Sequence, residues 1–70
     1  MKRNPVISSN LAAVGYDPSS QVLEIEFKSG SVYDYFGVPQ GLYEQLMAAA
    51  SLGTFFHQYI RDSFQTQRVG

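Results

Sequence analysis

Residues 21–28 read QVLEIEFK, and this octet constrains the fold more than any other stretch of the chain. Leu23, Ile25 and Phe27 lie on one side of an extended strand while Glu24 and Glu26 lie on the other, the period of two expected of a half-buried strand. The run SVYDYFGV at 31–38 is rich in β-branched and aromatic residues and follows Lys28-Ser29-Gly30. The two segments therefore read as an antiparallel hairpin.

Loop length sets the hairpin register, and a slip of one residue exchanges every side chain between the faces of the sheet. A two-residue loop, Ser29-Gly30, would set Ile25 opposite Asp34 and place a carboxylate among apolar side chains. A three-residue loop, Lys28-Ser29-Gly30, with Gly30 left-handed in a bulged type I turn, pairs Phe27 with Ser31, Ile25 with Tyr33 and Leu23 with Tyr35. An unpaired buried carboxylate costs several kcal/mol. The second register sets only Glu24 opposite Asp34 in solvent, a like-charge penalty of about 0.2–1 kcal/mol. The three-residue loop is the expected one. Tyr33 and Tyr35 then belong to the core face, their hydroxyls reaching toward its rim, and the opposite face carries Glu24, Glu26 and Asp34 in water beside Val22, Val32 and Phe36.

Before the hairpin, NLAAVGY at 10–16 alternates weakly and ends at Asp17-Pro18-Ser19-Ser20, where Pro18 suits the second position of a type I turn. This predicts a first strand. Residues 1–9 are expected to be a frayed lead-in, with Val6 and Ile7 as its contacts to the body. After Pro39 the period changes: Leu42, Leu46 and Ala50 recur every four residues beside Tyr43 and Met47, the stripe of a helix. Ser51-Leu52-Gly53 interrupts that stripe. Phe55, Phe56, Tyr59, Ile60 and Phe64 then describe a second helix that Ser51 would cap. Residues 65–70 are a polar tail with no assigned structure. The expected architecture is one α+β domain over 1–70, a three-stranded antiparallel β-meander in order 1-2-3 with two α-helices packed on one face.

A chain of 70 residues buries about 60% of the surface exposed when it is unfolded, so its core must be efficient. With no cysteine and a single histidine, disulfides and a zinc finger are excluded. Five Phe and five Tyr must supply most of the buried area. A net charge of −1 with five scattered Lys and Arg residues withholds the electrostatic footprint of indiscriminate phosphate binding. No apolar run follows the basic start and none approaches about 20 residues, so the expected location is cytoplasmic, with no membrane partner.

The order of these pieces resembles the KTSC domain, a short domain found at the C-terminus of some lysyl-tRNA synthetases and as a stand-alone bacterial protein. The resemblance spans residues 8–68. It is carried by Gly15-Tyr16-Asp17, Leu23-Glu24-Ile25-Glu26-Phe27, Ser29-Gly30, Tyr33-Asp34-Tyr35, Val38-Pro39, Ser51-Leu52-Gly53-Thr54-Phe55-Phe56 and Ile60-Arg61. It implies a small α+β domain of unestablished molecular function, with RNA binding suggested by the synthetase fusion. His57 stands where the family more usually has asparagine.

Each candidate residue carries a functional and a structural reading. Tyr33 and Tyr35 would stack bases or fill the core, and the register favours the core. His57, with Asp62 or Ser51, lacks the base, nucleophile and orienting group of a catalytic set, and reads instead as an exposed or capping histidine. Arg61 sits toward the end of the second helix, where the dipole favours a cation. Alternatively, Arg61 and Arg68, with Lys2 or Arg3 if the termini meet, form a basic rim for phosphate. Ser51 caps a helix whose exposed amides would also suit an anion. The chain is therefore expected to be a non-enzymatic binding domain without cofactor or metal, associated with RNA or a nucleic-acid-processing protein. The alternative is a protein–protein interaction module using Val22, Val32 and Phe36 on the exposed sheet face. Oligomeric state is not encoded in any of these features.

Overall fold

Five antiparallel strands in the order β1-β2-β3-β4-β5 form one sheet in the computed structural model, which describes residues 1–70. The strands are β1 (Asn4–Pro5), β2 (Leu11–Asp17), β3 (Val22–Phe27), β4 (Val32–Phe36) and β5 (Gln65–Arg68). Two helices, α1 (Gln40–Ala48) and α2 (Leu52–Tyr59), lie between β4 and β5 in the chain. The meander of three strands is present as β2, β3 and β4, but the sheet has five. The segments expected to be a frayed lead-in and a polar tail supply its two edges: Asn4 and Pro5 pair with Val14 and Ala13, and residues 65–68 pair with Phe36 to Tyr33. Backbone hydrogen bonding to an existing edge needs no apolar alternation, so neither segment announced itself by pattern.

The central hairpin has the expected register. Leu23 pairs with Tyr35, Glu24 with Asp34 and Ile25 with Tyr33. The Phe27 amide donates to Ser31 (2.9 Å), and Gly30 has φ +100°, the conformation that makes glycine suited to this turn. Tyr16 belongs to the same face as Leu23 and Tyr35, stacks on Tyr43 of α1 at 4.5 Å, and donates its hydroxyl to the Val38 carbonyl (2.6 Å). That bond ties the start of α1 to the sheet.

The core lies between this face and the helices. Leu11, Val14, Leu23 and Ile25 from the sheet, Val38 ahead of α1, Leu46 from α1 and Ile60 after α2 are fully buried. Val6 packs against this cluster, whereas Ile7 is 99% exposed. Both helices are shorter than their stripes suggested. Ala49 adopts an extended conformation that feeds Ser51 into position as the cap of α2, so Ala50 falls outside α1 and is exposed. Ile60 and Arg61 both donate amides to the Phe56 carbonyl, closing α2 before Phe64. Phe64 still packs against the core from the turn that leads to β5.

The outer face of the sheet departs from expectation: it is covered rather than wet. Gly15, opposite Glu24, allows residues 1–3 to cross it; a Cβ at Gly15 would lie 2.6 Å from the Lys2 carbonyl oxygen. Arg3 then reaches Glu24 through Nη1 (2.6 Å) and Glu26 through Nε (3.3 Å), leaving Glu24 only 8% exposed. Desolvation and the neighbouring Glu24, both as hydrogen-bond partner and as charge, push the Asp34 carboxyl up to about 6. Glu24 shifts the other way: desolvation opposes its ionisation, but hydrogen bonds from Asp34 and Arg3 outweigh it. As pH falls through about 6 the proton therefore goes to Asp34 while Glu24 keeps its charge. At the other edge Gly70 lies against Val32 and exchanges backbone hydrogen bonds with it, so Val32 is 8% exposed.

Candidate functional site

A cleft lined by aromatic rings lies between α2 and the sheet, beside β5. It encloses about 470 Å³. Its floor is aromatic because the hairpin register turns Tyr33 and Tyr35 to the same side as Phe27, and the hydrophobic stripe of α2 brings Phe56 down to meet them. Phe27 meets Tyr33 edge to face at 5.9 Å and Phe56 at 5.6 Å, and Phe56 meets Tyr35 at 5.3 Å. Such edge contacts hold the rings in fixed orientations. Tyr35 is 4% exposed and is mainly core, while Tyr33 and Phe27 are half-buried and offer ring surface to the cleft.

The rim is polar. Asn10 enters from the start of β2, His57 from the last turns of α2, Arg61 and Asp62 from the turn after it, and Thr66 from β5. Arg61 Nη1 lies 3.0 Å from His57 Nδ1, one helical turn away. Burial pushes the Tyr35 phenol up, opposed in part by hydrogen bonding to Thr66 and by the charge of Arg61. Its hydroxyl thus remains a neutral donor and acceptor at the cleft wall. Thr66 donates its hydroxyl proton to the Asp34 carbonyl (2.9 Å), which fixes its side chain against β4.

Four of the residues singled out from the sequence, Tyr33, Tyr35, His57 and Arg61, are thus brought to one cleft. Ser51 is not among its walls. Its hydroxyl accepts from the Thr54 amide (3.3 Å) and donates to the Thr54 hydroxyl (3.0 Å) rather than to His57. Arg68 stands opposite Tyr33 in the register but turns its Nε to the Gly70 carbonyl (2.9 Å). Lys2 and Arg3 cannot complete a basic rim with Arg61, because β1 and β5 are opposite edges of the sheet and Arg3 is held by Glu24 and Glu26. Arg61 lies just beyond α2 rather than within it.

The apolar patch expected on the outer face is reduced. Val32 is buried against Gly70, Val22 is half-buried, and Phe36 is 37% exposed at the end of β4. Two wall residues, Asn10 and Thr66, went unnoticed in the sequence. Thr66 could have been found only by recognising that Gln65-Thr66-Gln67-Arg68 alternates, a pattern too weak without apolar positions. No cluster of three His, Cys, Asp or Glu side chains is placed to hold a metal ion. No helix is long and apolar enough to cross a membrane.

Comparison with known proteins identifies the surroundings in which this architecture recurs. The family model described as the KTSC domain matches residues 7–64. An uncharacterised protein of Stutzerimonas stutzeri is 46% identical over 61 residues, which cover 87% of this chain and 86% of that protein. A lysine–tRNA ligase of Nostoc sp. is 41% identical over 61 residues, 87% of this chain but 11% of the ligase. The crystal structure of a KTSC domain protein from Yersinia pestis superposes with a TM-score of 0.96 at 39% identity, covering 99% of this chain and 97% of that one.

Proposed function

This chain belongs to the KTSC domain family, and from that membership we propose that it is a non-catalytic binding module whose cleft beside α2 receives one unpaired nucleotide of RNA. The observation that carries the reading is the pairing of a half-buried aromatic surface, Phe27 and Tyr33, with a single cationic corner, Arg61 beside His57. A base stacks on such rings and a phosphate meets the guanidinium, and stacking alone contributes about 1–3 kcal/mol per base. The occurrence of the same domain within lysine–tRNA ligases supports RNA as the partner class.

Electrostatics limit the footprint. Asp62 shares the rim with Arg61, the chain has a net charge of −1, and the outer face is acidic. Tracking along a duplex requires several phosphate contacts, which this surface does not supply. The module is therefore suited to a strand end, loop or bulge, with one phosphate engaged.

Titration of isotope-labelled protein at low salt with the four ribonucleoside monophosphates and with unpaired RNA tests the reading. Amide signals of Tyr33, His57, Arg61 and Thr66 are expected to move. Tyr33→Ala should weaken binding by about 1–3 kcal/mol. Arg61→Gln should flatten the dependence of log affinity on log salt by about 0.7, the contribution of one phosphate on a single strand. Absence of binding to RNA at tens of micromolar protein, or shifts confined to the outer face of the sheet, would refute it.

A further inference from the structure

A second groove, about 300 Å³ in volume, opens beside the first and shares three of its walls, Asn10, Gly53 and His57. Its chemistry differs. The remaining walls are Ser9, Ser51, Thr54 and Gln58, and apart from the shared His57 imidazole it contains no ring, carboxylate, ammonium or guanidinium group. Beyond His57 this is a surface of amides and hydroxyls, able to donate and accept hydrogen bonds. Ser51 caps the Thr54 amide at the edge of this groove.

Gly53 marks the junction. A Cβ built there would lie 3.5 Å from Ser8 Oγ and 3.8 Å from Asn10 Nδ2, ordinary contact distances. An alanine fits, whereas a longer side chain would grow against Asn10, the wall the two grooves have in common. The Asn10 side chain is exposed at that boundary, while its carbonyl accepts from the Lys28 amide (2.9 Å), which fixes its backbone. It presents a carboxamide, donor and acceptor together, from a rigid position.

We infer that cleft and groove form one continuous site for two successive nucleotides, and that the amides and hydroxyls of the groove read the ribose 2′-hydroxyl of the second nucleotide, so that the domain distinguishes RNA from DNA. The inference rests on the reading of the first cleft as a nucleotide site. The 2′-hydroxyl is itself both donor and acceptor and is the group by which a protein separates the two nucleic acids. His57 stands at the junction itself and Arg61 on its cleft side, where the phosphate linking the two nucleotides would pass. Base stacking in the cleft and sugar recognition in the groove are thus separate functions of adjacent surfaces.

Amide chemical shifts and affinities measured at one low salt concentration, with ribonucleoside monophosphates, the four ribo-homodinucleotides and their deoxy counterparts, test this. Ribodinucleotides are expected to move the amides of Thr54 and Gln58 as well as those of the cleft, and to bind about fivefold tighter than the monophosphates. Deoxydinucleotides should fall back to the monophosphate affinity. Gly53→Gln should abolish the ribodinucleotide advantage over monophosphates, while Gly53→Ala preserves it. Asn10→Ala, at an exposed position, should reproduce the loss if Gly53→Gln does not fold. Equal affinity for ribo- and deoxydinucleotides, or an advantage that survives both Gly53→Gln and Asn10→Ala, would overturn the two-nucleotide site while leaving the first cleft intact. Failure of every ligand, monophosphates included, to move any cleft signal would overturn both readings together.

Discussion

Replacing Asp34 with asparagine should stabilise this domain at neutral pH. Asp34 faces Glu24 across the β3–β4 pair and has a buried oxygen, Oδ1, without a hydrogen-bond partner. Its carboxyl is pushed from 3.8 to about 6 by desolvation and by Glu24. At about 1.4 kcal/mol per tenfold change in proton affinity, that displacement corresponds to about 3 kcal/mol if the site were dry. Asp34 retains some contact with water, and screening there reduces the figure to about 1 kcal/mol. Because the folded state holds the proton more tightly than the unfolded one, the stabilisation is complete below about pH 4. It is lost as pH rises through about 6. Among the groups with displaced proton affinity, no other titrates between pH 5 and 7.5, since Glu24 and Asp17 move down and Tyr16, Tyr35 and Arg3 move up from already high values.

Thermal unfolding followed by circular dichroism provides the assay. The wild-type midpoint should fall by about 2–4 °C from pH 5 to pH 7.5, because about half of the stabilisation remains at pH 5 and a domain of this size moves about 4–8 °C per kcal/mol. Asp34→Asn should remove most of that slope and exceed wild type at pH 7.5 by about 1 kcal/mol, because an amide can donate to Glu24 without adding charge. A wild-type midpoint that rises or stays level over this range, or a variant less stable than wild type at pH 7.5, would refute the division of charge and proton between Glu24 and Asp34.

Three further substitutions probe the contacts that position the site. Tyr16→Phe removes the hydroxyl that donates to the Val38 carbonyl and should cost about 0.5–1.5 kcal/mol by chemical denaturation, with the slope of the transition unchanged. Ser51→Ala removes the cap of α2 and should cost about 0.5–2 kcal/mol; Ser51→Asn should recover most of it, since asparagine caps equally well. Gly15→Ala introduces a methyl group 2.6 Å from the Lys2 carbonyl oxygen, so residues 1–3 must shift. It should cost about 1–3 kcal/mol and speed tryptic cleavage after Arg3.

The cleft was half legible in the sequence. Tyr33, Tyr35, His57 and Arg61 were identified from residue type and position, and the hairpin register placed both tyrosines on the correct face. Asn10 and Thr66 were not identified, because each becomes a wall only through pairing between segments distant in the chain, Asn10 with Lys28 and Thr66 with Tyr35. The outer face was misjudged for the same reason. Glu24 and Asp34 have the polarity of solvent-facing residues, and nothing near them in the chain discloses that Arg3 would return to cover them.

What residue pattern alone settled is the centre of the molecule. A period-two octet, a glycine that can take φ +100° and the high cost of burying Asp34 among aliphatic side chains leave one register for β3 and β4, while the spacing of Leu42, Leu46, Phe56 and Ile60 supplies the helical layer above them. The edges were decided in three dimensions. Residues 4–5 and 65–68 become strands because their backbone donors and acceptors find unpaired partners on β2 and β4, an attraction common to almost any sequence and therefore invisible in this one. Residues 1–3, ahead of β1, cover the acidic face, and β5 builds the last wall of the cleft.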